Sequence, residues 1–577
     1  MLRILCLALL SAGIIACTQP QQPATKLANA DTLYFGGPII TMAGDAPQYV
    51  EALATKDGRI IFTGQLHKAN DHVGEQTKQV NLQGQALLPG FIDAHSHLFN
   101  AGLAQLSADL LPGPDGQVNS IEALLSTLTQ WHQGQPMLAK KLGWIVGMGY
   151  DDSQLAQRRH PTATELDTVS SEIPILIMHQ SGHLGVMNTK ALEMVGYLPQ
   201  APHIDGGVIR IDELSNQANG VLEEMALFQP LFSVFSAIDK QLQDEIASAG
   251  LALYMANGYT TAQEGRADKS TSTYWLARAQ KQSLPIDVAI YPDLEQEYDF
   301  MLAQGASKDY QGGARIAGVK LSFDGSPQGK TAWLSKPYLH PPAGHNSEYR
   351  GYPAIADDKA RSKLVAQAYA NNWQLIVHTN GDAAADALLR DIESAATRFE
   401  QAGRRTVMIH AQTVREDQLK RMKQLAVIPS FFSMHTFYWG DWHRDEVLGL
   451  ERAENISPTG WAQKHAMRFT QHHDAPVVKP NPLRVLSTTV NRKTRSGKVL
   501  GAHHQVSPYI ALKSMTEWAA WQYFEEPNKG TLEVGKLADF VILDKDPLRV
   551  EPELLEQLQV QQTIKADRVV YDVNHAF

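Results

Sequence analysis

The chain has 577 residues, 44% hydrophobic and 19% charged, with a net charge of -10. That composition is ordinary globular protein, and an acidic chain with no Lys/Arg run or basic stripe argues against a nucleic-acid partner. Its length fits several domains, or one large barrel with an accessory unit.

The first 16 residues carry one positive charge, Arg3, and an apolar stretch at 4–15 too short to span a bilayer. They predict a signal peptide. Ile14-Ile15-Ala16-Cys17 resembles the lipobox of bacterial lipoproteins, where cleavage precedes a cysteine that is then lipidated. The alternative is an ordinary signal with a cysteine nearby. Cys6 and Cys17 are the two cysteines, so cleavage before Cys17 leaves one and allows no internal disulfide. Residues 17–30 are polar and proline-bearing, which suits a flexible tether. The lipobox likeness implies an exported lipoprotein held to a membrane through a lipid on Cys17. Thr18 after that cysteine points to the outer membrane, facing the periplasm or the cell surface.

Residues 31–86 alternate strand-like runs with turn signals and predict the first part of a β-domain; 530–577 repeats the style in LADFVILDKDP and TIKADRVVYD. Two β-rich ends around one long middle predict a single composite β-sandwich. The run ALLPGFIDAHSH then ends in His95 and His97. A strand sends residues i and i+2 to the same side, so this H-x-H puts two imidazoles on one face, close enough to share a metal ion.

Eight apolar runs follow a strand–helix rhythm: 87–97, 259–264, 286–291, 316–323, 374–379, 406–410, 426–432 and 467–474. Repeated units of this kind predict an α/β fold, a (β/α)8 barrel over 87–529, with an inserted lobe at about 98–257. Lys320 lies within the fourth run, His378 and His410 end the fifth and sixth, and Asp474 closes the eighth. Such strand ends are where barrel active sites are built.

The segments LLPGFIDAHSH, GVKLSFDGS, VHTNGDAAAD, IHAQTV, HHDAPV and GTLEVGKLADFVILDKDP resemble the amidohydrolase superfamily, in particular amidohydrolase family 3 and its N-substituted formamide deformylase-like branch. The resemblance implies that His95, His97 and Asp474 bind one divalent ion and that His378 and His410 bind a second. It also implies that Lys320 bridges them as an N6-carboxylated side chain; the alternative is a structural lysine paired with Asp324. One or two ions are both compatible, with zinc ranked first. A divalent ion lowers the pKa of bound water from 15.7 to roughly 7, and Asp474 would act as general base in hydrolysis of an amide, formamide or cyclic amide. The alternative function is a non-catalytic metal-containing lipoprotein with a binding or regulatory role. A homodimer is the family-level expectation.

Where relatives commonly have Gly-Ser before the final aspartate, this chain has His472-His473. His472 shares the face of Asp474 and either touches substrate or packs behind the strand. His183, in QSGHLGVMN, either faces substrate or does not. Asp382 reads as a helix cap rather than a catalytic group. Arg492 is either a bidentate anchor for a substrate carboxylate or an exposed loop cation. The aromatic run at 437–442 predicts a loop lining the mouth and an apolar substrate moiety.

Overall fold

The computed structural model describes residues 29–575, apart from Ala237, Ala343, Gln401 and Ala402. The signal segment 1–16 and Cys17 lie outside the described residues. Among those described, no helix is long and apolar enough to cross a membrane.

The two ends of the chain meet in one eight-stranded sheet. Its order is Arg568–Asp572, Val560–Lys565, Phe540–Leu543, Ala86–Pro89, Thr32–Ile40, Tyr49–Lys56 and Arg59–Gly64, with Lys78–Asn81 paired to Thr32–Ile40 off this path. Phe540–Leu543 lies antiparallel to Ala86–Pro89, Phe540 opposite Pro89. Tyr34, Ile39, Leu53, Leu87, Phe540 and Ile542 bury their side chains together on this sheet.

The run 87–97 is not one strand. Gly90 donates its N–H to Asp539 O, and Phe91 donates to Gly258 O. Consecutive amides therefore serve two sheets. A Cβ at Gly90 would lie 2.3 Å from Thr260 Cγ2, so only glycine lets the chain pass there. Phe91–Ile92 then opens a parallel sheet with Tyr259–Ala267, Asp287–Pro292 and Ala314–Ile316. A second parallel sheet holds Val319–Ser322, Leu375–Thr379, Val407–His410, Ile428–Phe431 and Thr470–Gln471. The chain leaves the first sheet at Ile316 and enters the second at Val319, and a parallel bridge joins Asp293 to Lys320. Strands buried on both faces read as the continuous apolar runs seen in the sequence.

Helices follow these strands as the rhythm predicts, among them Lys269–Lys281, Asp358–Ala370 and Asp382–Ala396. The insertion carries its own six-stranded sheet, in the order Gly207–Ile211, Ala218–Glu224, Leu184–Met187, Ile175–His179, Ile145–Tyr150, Ala108–Asp109. Helices Leu98–Leu106 and Lys240–Ala256 cross where the insertion leaves and rejoins the parallel strands. They approach so closely that a Cβ on Gly102 would sit 2.0 Å from the Ile246 carbonyl oxygen.

A buried ionic cluster ties the end sheet to the parallel strands. Lys529 contacts Asp287 and Glu525, Lys565 contacts Asp287 and Asp539, and Arg315 contacts Glu525. Burial opposes ionisation of Asp287, but the two lysines outweigh it and hold the carboxyl down at about 2. Lys529→Met would leave Asp287 to Lys565 alone and Glu525 to Arg315 alone, so urea unfolding should show a loss of about 1.5–3 kcal/mol, the worth of charged hydrogen bonds removed while both carboxylates stay paired.

Candidate metal centre

His95 and His97 lie beyond the strand, in a turn. Even so, their rings stand 5.2 Å apart, because the neighbouring strand Tyr259–Ala267 fixes both. Gln263 Nε2 donates to Ala94 O, which turns Gln263 Oε1 towards His95 Nδ1 at 2.6 Å. His97 Nδ1 donates to the Gly265 carbonyl at 2.7 Å. Both Nδ1 atoms therefore carry the proton, which leaves both Nε2 atoms as acceptors. Those Nε2 atoms sit 3.3 and 3.5 Å from Asp474 Oδ1, a buried oxygen with no hydrogen-bond partner among the described residues.

His378 and His410 meet edge to edge, Nδ1 to Nε2 at 2.9 Å. Gly325 O accepts from His378 Nε2. His410 Nδ1 lies 3.0 Å from His472 Nε2, whose ring is tied in turn to Ser430 Oγ at 3.0 Å. His472 thus orients His410 from behind. His473 points the other way, against Tyr254 and Tyr259. Lys320 is fully buried, with Nζ 2.8 Å from His95 Nε2. The alternative Lys320–Asp324 pair does not form, because Asp324 accepts from the backbone N–H groups of Trp333, Asn380 and Gly381.

The charge states suit a cation. Burial holds His95, His378 and His410 well below the usual imidazole range, so each is a neutral ligand. Burial also pulls Lys320 down to about 7. For Asp474, burial resists ionisation, and His410, His97 and His95 draw its carboxyl well below the usual range only through positive charge shared among them, the place a bound cation would take. Neutral imidazoles, an ionised carboxylate and an orphaned buried oxygen are what metal ligation requires, and His95, His97 and Asp474 hold ligand atoms within 4.8 Å of one another. The residues fit the group.

The centre opens into a cavity of about 540 Å³ whose walls include His97, His183, Lys320, His378 and Asp474. His183 lies 5.0 Å from the His378 ring, tilted against it, and is pinned through Nδ1 by Glu224 at 2.8 Å. Among the residues with left-handed backbone are His410 (φ 70), Asp474 (φ 56), Arg266 (φ 54) and Glu224 (φ 49). Such conformations cost about 1–3 kcal/mol each and gather at functional sites.

Two sequence expectations are corrected. Arg492 is neither an anchor nor exposed: it is wholly buried and donates to the carbonyls of Ile456, Ser457 and Leu500. The aromatic run forms a helix, Met434–Trp442, rather than a loop. Tyr438 donates to Asp115 and Trp439 to Asp151 Oδ2, so these rings brace the inserted lobe. The cavity's apolar walls come instead from Phe99, Leu103, Met148, Met178, Phe228 and Leu231. Asp382 sits in the first turn of its helix and accepts from Ser335 and Arg415, a structural role. Gln263, Gly265 and Arg266 went unread in the sequence, although the polar run QEGR after TTA is the mark they leave.

The sequence profile of the amidohydrolase family matches residues 78–571. The chain belongs to the amidohydrolase family. It is accordingly a hydrolase acting on carbon–nitrogen bonds, and its donor set makes it a metal-dependent one. The putative amidohydrolase YtcJ of Bacillus subtilis (strain 168) is 24% identical over 554 residues, covering 94% of this chain and 99% of that one. N-substituted formamide deformylase of Arthrobacter pascens is 25% identical over 541 residues, covering 89% and 93%. An uncharacterized metal-dependent hydrolase from Pyrococcus horikoshii OT3 matches in structure with TM-score 0.71 at 25% identity, covering 90% of this chain and 99% of that one.

Gln263→Leu removes the acceptor that orients His95, so metal affinity should fall about 10–100-fold in titration against a competing chelator. Arg492→Met should leave KM unchanged but cost about 3 kcal/mol or more in urea unfolding, since three buried carbonyls lose their donor.

Proposed function

We propose that this amidohydrolase holds two divalent ions, zinc first in rank, and hydrolyses a small-molecule amide, formamide or cyclic amide with Asp474 as general base. The observation that carries the reading is the unpartnered Asp474 Oδ1, faced by the Nε2 atoms of His95 and His97. His95, His97 and Asp474 would hold one ion and His378 and His410 the other. When bound, the ions polarise a carbonyl and lower the pKa of water to about 7.

The chain's own residues do the rest. Burial lowers Lys320 to about 7, so near neutral pH a fraction is free amine that can attack carbon dioxide, forming an N–C bond and releasing one proton to solvent through the cavity. The resulting carbamate would add its oxygens to the side chains that hold the ions. Asp474 takes the proton of the attacking water on its free oxygen and delivers it to the departing nitrogen. His183, fixed by Glu224 beside His378, is placed to touch the substrate. His472 holds His410 in the tautomer that ligation needs.

The two parallel sheets are proposed as the two parts of one (β/α)8 barrel spanning 87–529, and the eight-stranded end sheet as a composite β-sandwich. We further propose export, with a lipid on Cys17 and the tether 17–30 holding the enzyme at the outer membrane and leaving nucleic acid no part in its work. Replacing Cys17 by Ser should release the protein from the membrane fraction; retention there would sink the anchor.

Elemental analysis of the purified enzyme should find about two ions per chain, falling in Lys320→Ala. One ion per chain, unaffected by that change, would overturn the bridged centre. Asp474→Asn should abolish amide turnover with the circular-dichroism spectrum retained; turnover within tenfold of the parent would exclude Asp474 as the base.

A further inference from the structure

Arg266 lies on the strand that positions His95 and His97, at a bulge where the register with Asp287–Pro292 slips between Gly265 and Ala267. Bulges re-aim side chains and are frequent beside active sites. The bulge and the left-handed φ of 54 at Arg266 turn its side chain into the cavity of the metal centre. Its Nε donates to Asp293 Oδ2 at 2.9 Å, and the guanidinium lies 5.0 Å over the Phe228 ring. The two terminal nitrogens make no hydrogen bond among the described residues.

The contacts run from Arg266 to the centre on both sides. Phe228 meets the His183 ring edge-on, at 6.2 Å between centroids, and His183 lies tilted against His378 at 5.0 Å. Asp293 is the backbone neighbour of Lys320 across a parallel bridge. The other lining lysine outside the centre, Lys479, is already bonded to Asp115 O. A guanidinium fixed at Nε and stacked on one face, with its outer fork open, is the arrangement that receives a carboxylate in bidentate fashion.

A second observation points to a polar ligand in the same space. Gln180 lines the cavity and is 2% exposed, and neither its Oε1 nor its Nε2 has a hydrogen-bond partner among the described residues. A buried amide in that state awaits a group with both a donor and an acceptor.

Resting on the amidohydrolase reading above, we propose that the substrate is an amide bearing a carboxylate a few bonds from the scissile bond, of the N-acyl amino acid class. Arg266 anchors the carboxylate, Gln180 pairs with a substrate amide group, and Phe99, Phe228 and Leu231 receive the apolar acyl part. A neutral apolar formamide would leave both Arg266 and Gln180 unused.

The test compares N-hexanoyl amino acids of both hands with N-hexanoyl alkylamines on metal-loaded enzyme. Wild type should favour the charged substrate in kcat/KM, and Arg266→Gln, which can still donate to Asp293, should lower the charged-to-neutral ratio by about a hundredfold. Arg266→Lys should restore only part of it, because the fork is lost. A wild-type ratio near one, or an equal fall for both substrates in Arg266→Gln, overturns the proposal. Turnover of neither substrate with metal bound counts against the amidohydrolase reading instead. The anchor is then decided by binding of the uncleaved compounds: a rise in melting temperature of wild type with the N-hexanoyl amino acids, absent with the N-hexanoyl alkylamines and lost in Arg266→Gln, supports it, and no such rise refutes it.

Discussion

Everything at the centre depends on burial, which disfavours the charged forms of His95, His378, His410 and Lys320 around one acidic side chain. Removing water penalises each charged form, and that penalty makes neutral ligands of His95, His378 and His410 at any ordinary pH. The same penalty pulls Lys320 to about 7, where a useful fraction is free amine. Asp474 is the exception, because its charge is supported by positive charge on the facing side, from a proton shared with the imidazoles or from a bound cation. The dry interior thus readies the imidazoles for an ion, and the carboxylate calls for one.

Burial alone would not aim these groups. Each imidazole is held by a partner on its far nitrogen: Gln263 for His95, the Gly265 carbonyl for His97, His472 for His410 and Gly325 O for His378. Those partners decide which nitrogen faces inward, and for metal ligands such outer contacts matter nearly as much as the ligands themselves. The left-handed backbone at His410 and Asp474 extends the same logic to the main chain, where strain is accepted to place a side chain.

The ligand candidates were legible because parallel strands buried on both faces are apolar runs, and a His, Lys or Asp at the end of such a run stands out. The joining of the two ends was legible for a similar reason, since both carry short alternating strands. The premise for His95 and His97 was wrong in detail: they occupy a turn, and the i, i+2 spacing works because Tyr259–Ala267 holds both rings. Arg492 was unreadable because its three acceptors, at 456, 457 and 500, are backbone carbonyls brought together only by the fold. The aromatic run at 437–442 gave no helical stripe because Tyr438, Trp439 and Gly440 are buried on several sides at once. Arg266 was hidden by a bulge, which no periodicity announces.

The inserted lobe explains how one metal centre can be given its own selectivity. Helix Leu98–Leu106 starts one residue after His97, and Lys240–Ala256 leads directly into the strand that carries Gln263, Gly265 and Arg266. The two helices are locked against each other at Gly102 and Gly250, with no room for a side chain between them. The lobe is therefore registered to the ligands at both of its ends, and the wall it presents, with Phe99, Gln180, His183 and Phe228, stands at a fixed distance from the ions' seat. On the proposed reading, chemistry comes from the strand ends and recognition from the lobe. Arg266 belongs to the strands yet stacks on the lobe's Phe228, so the two functions meet at that one side chain.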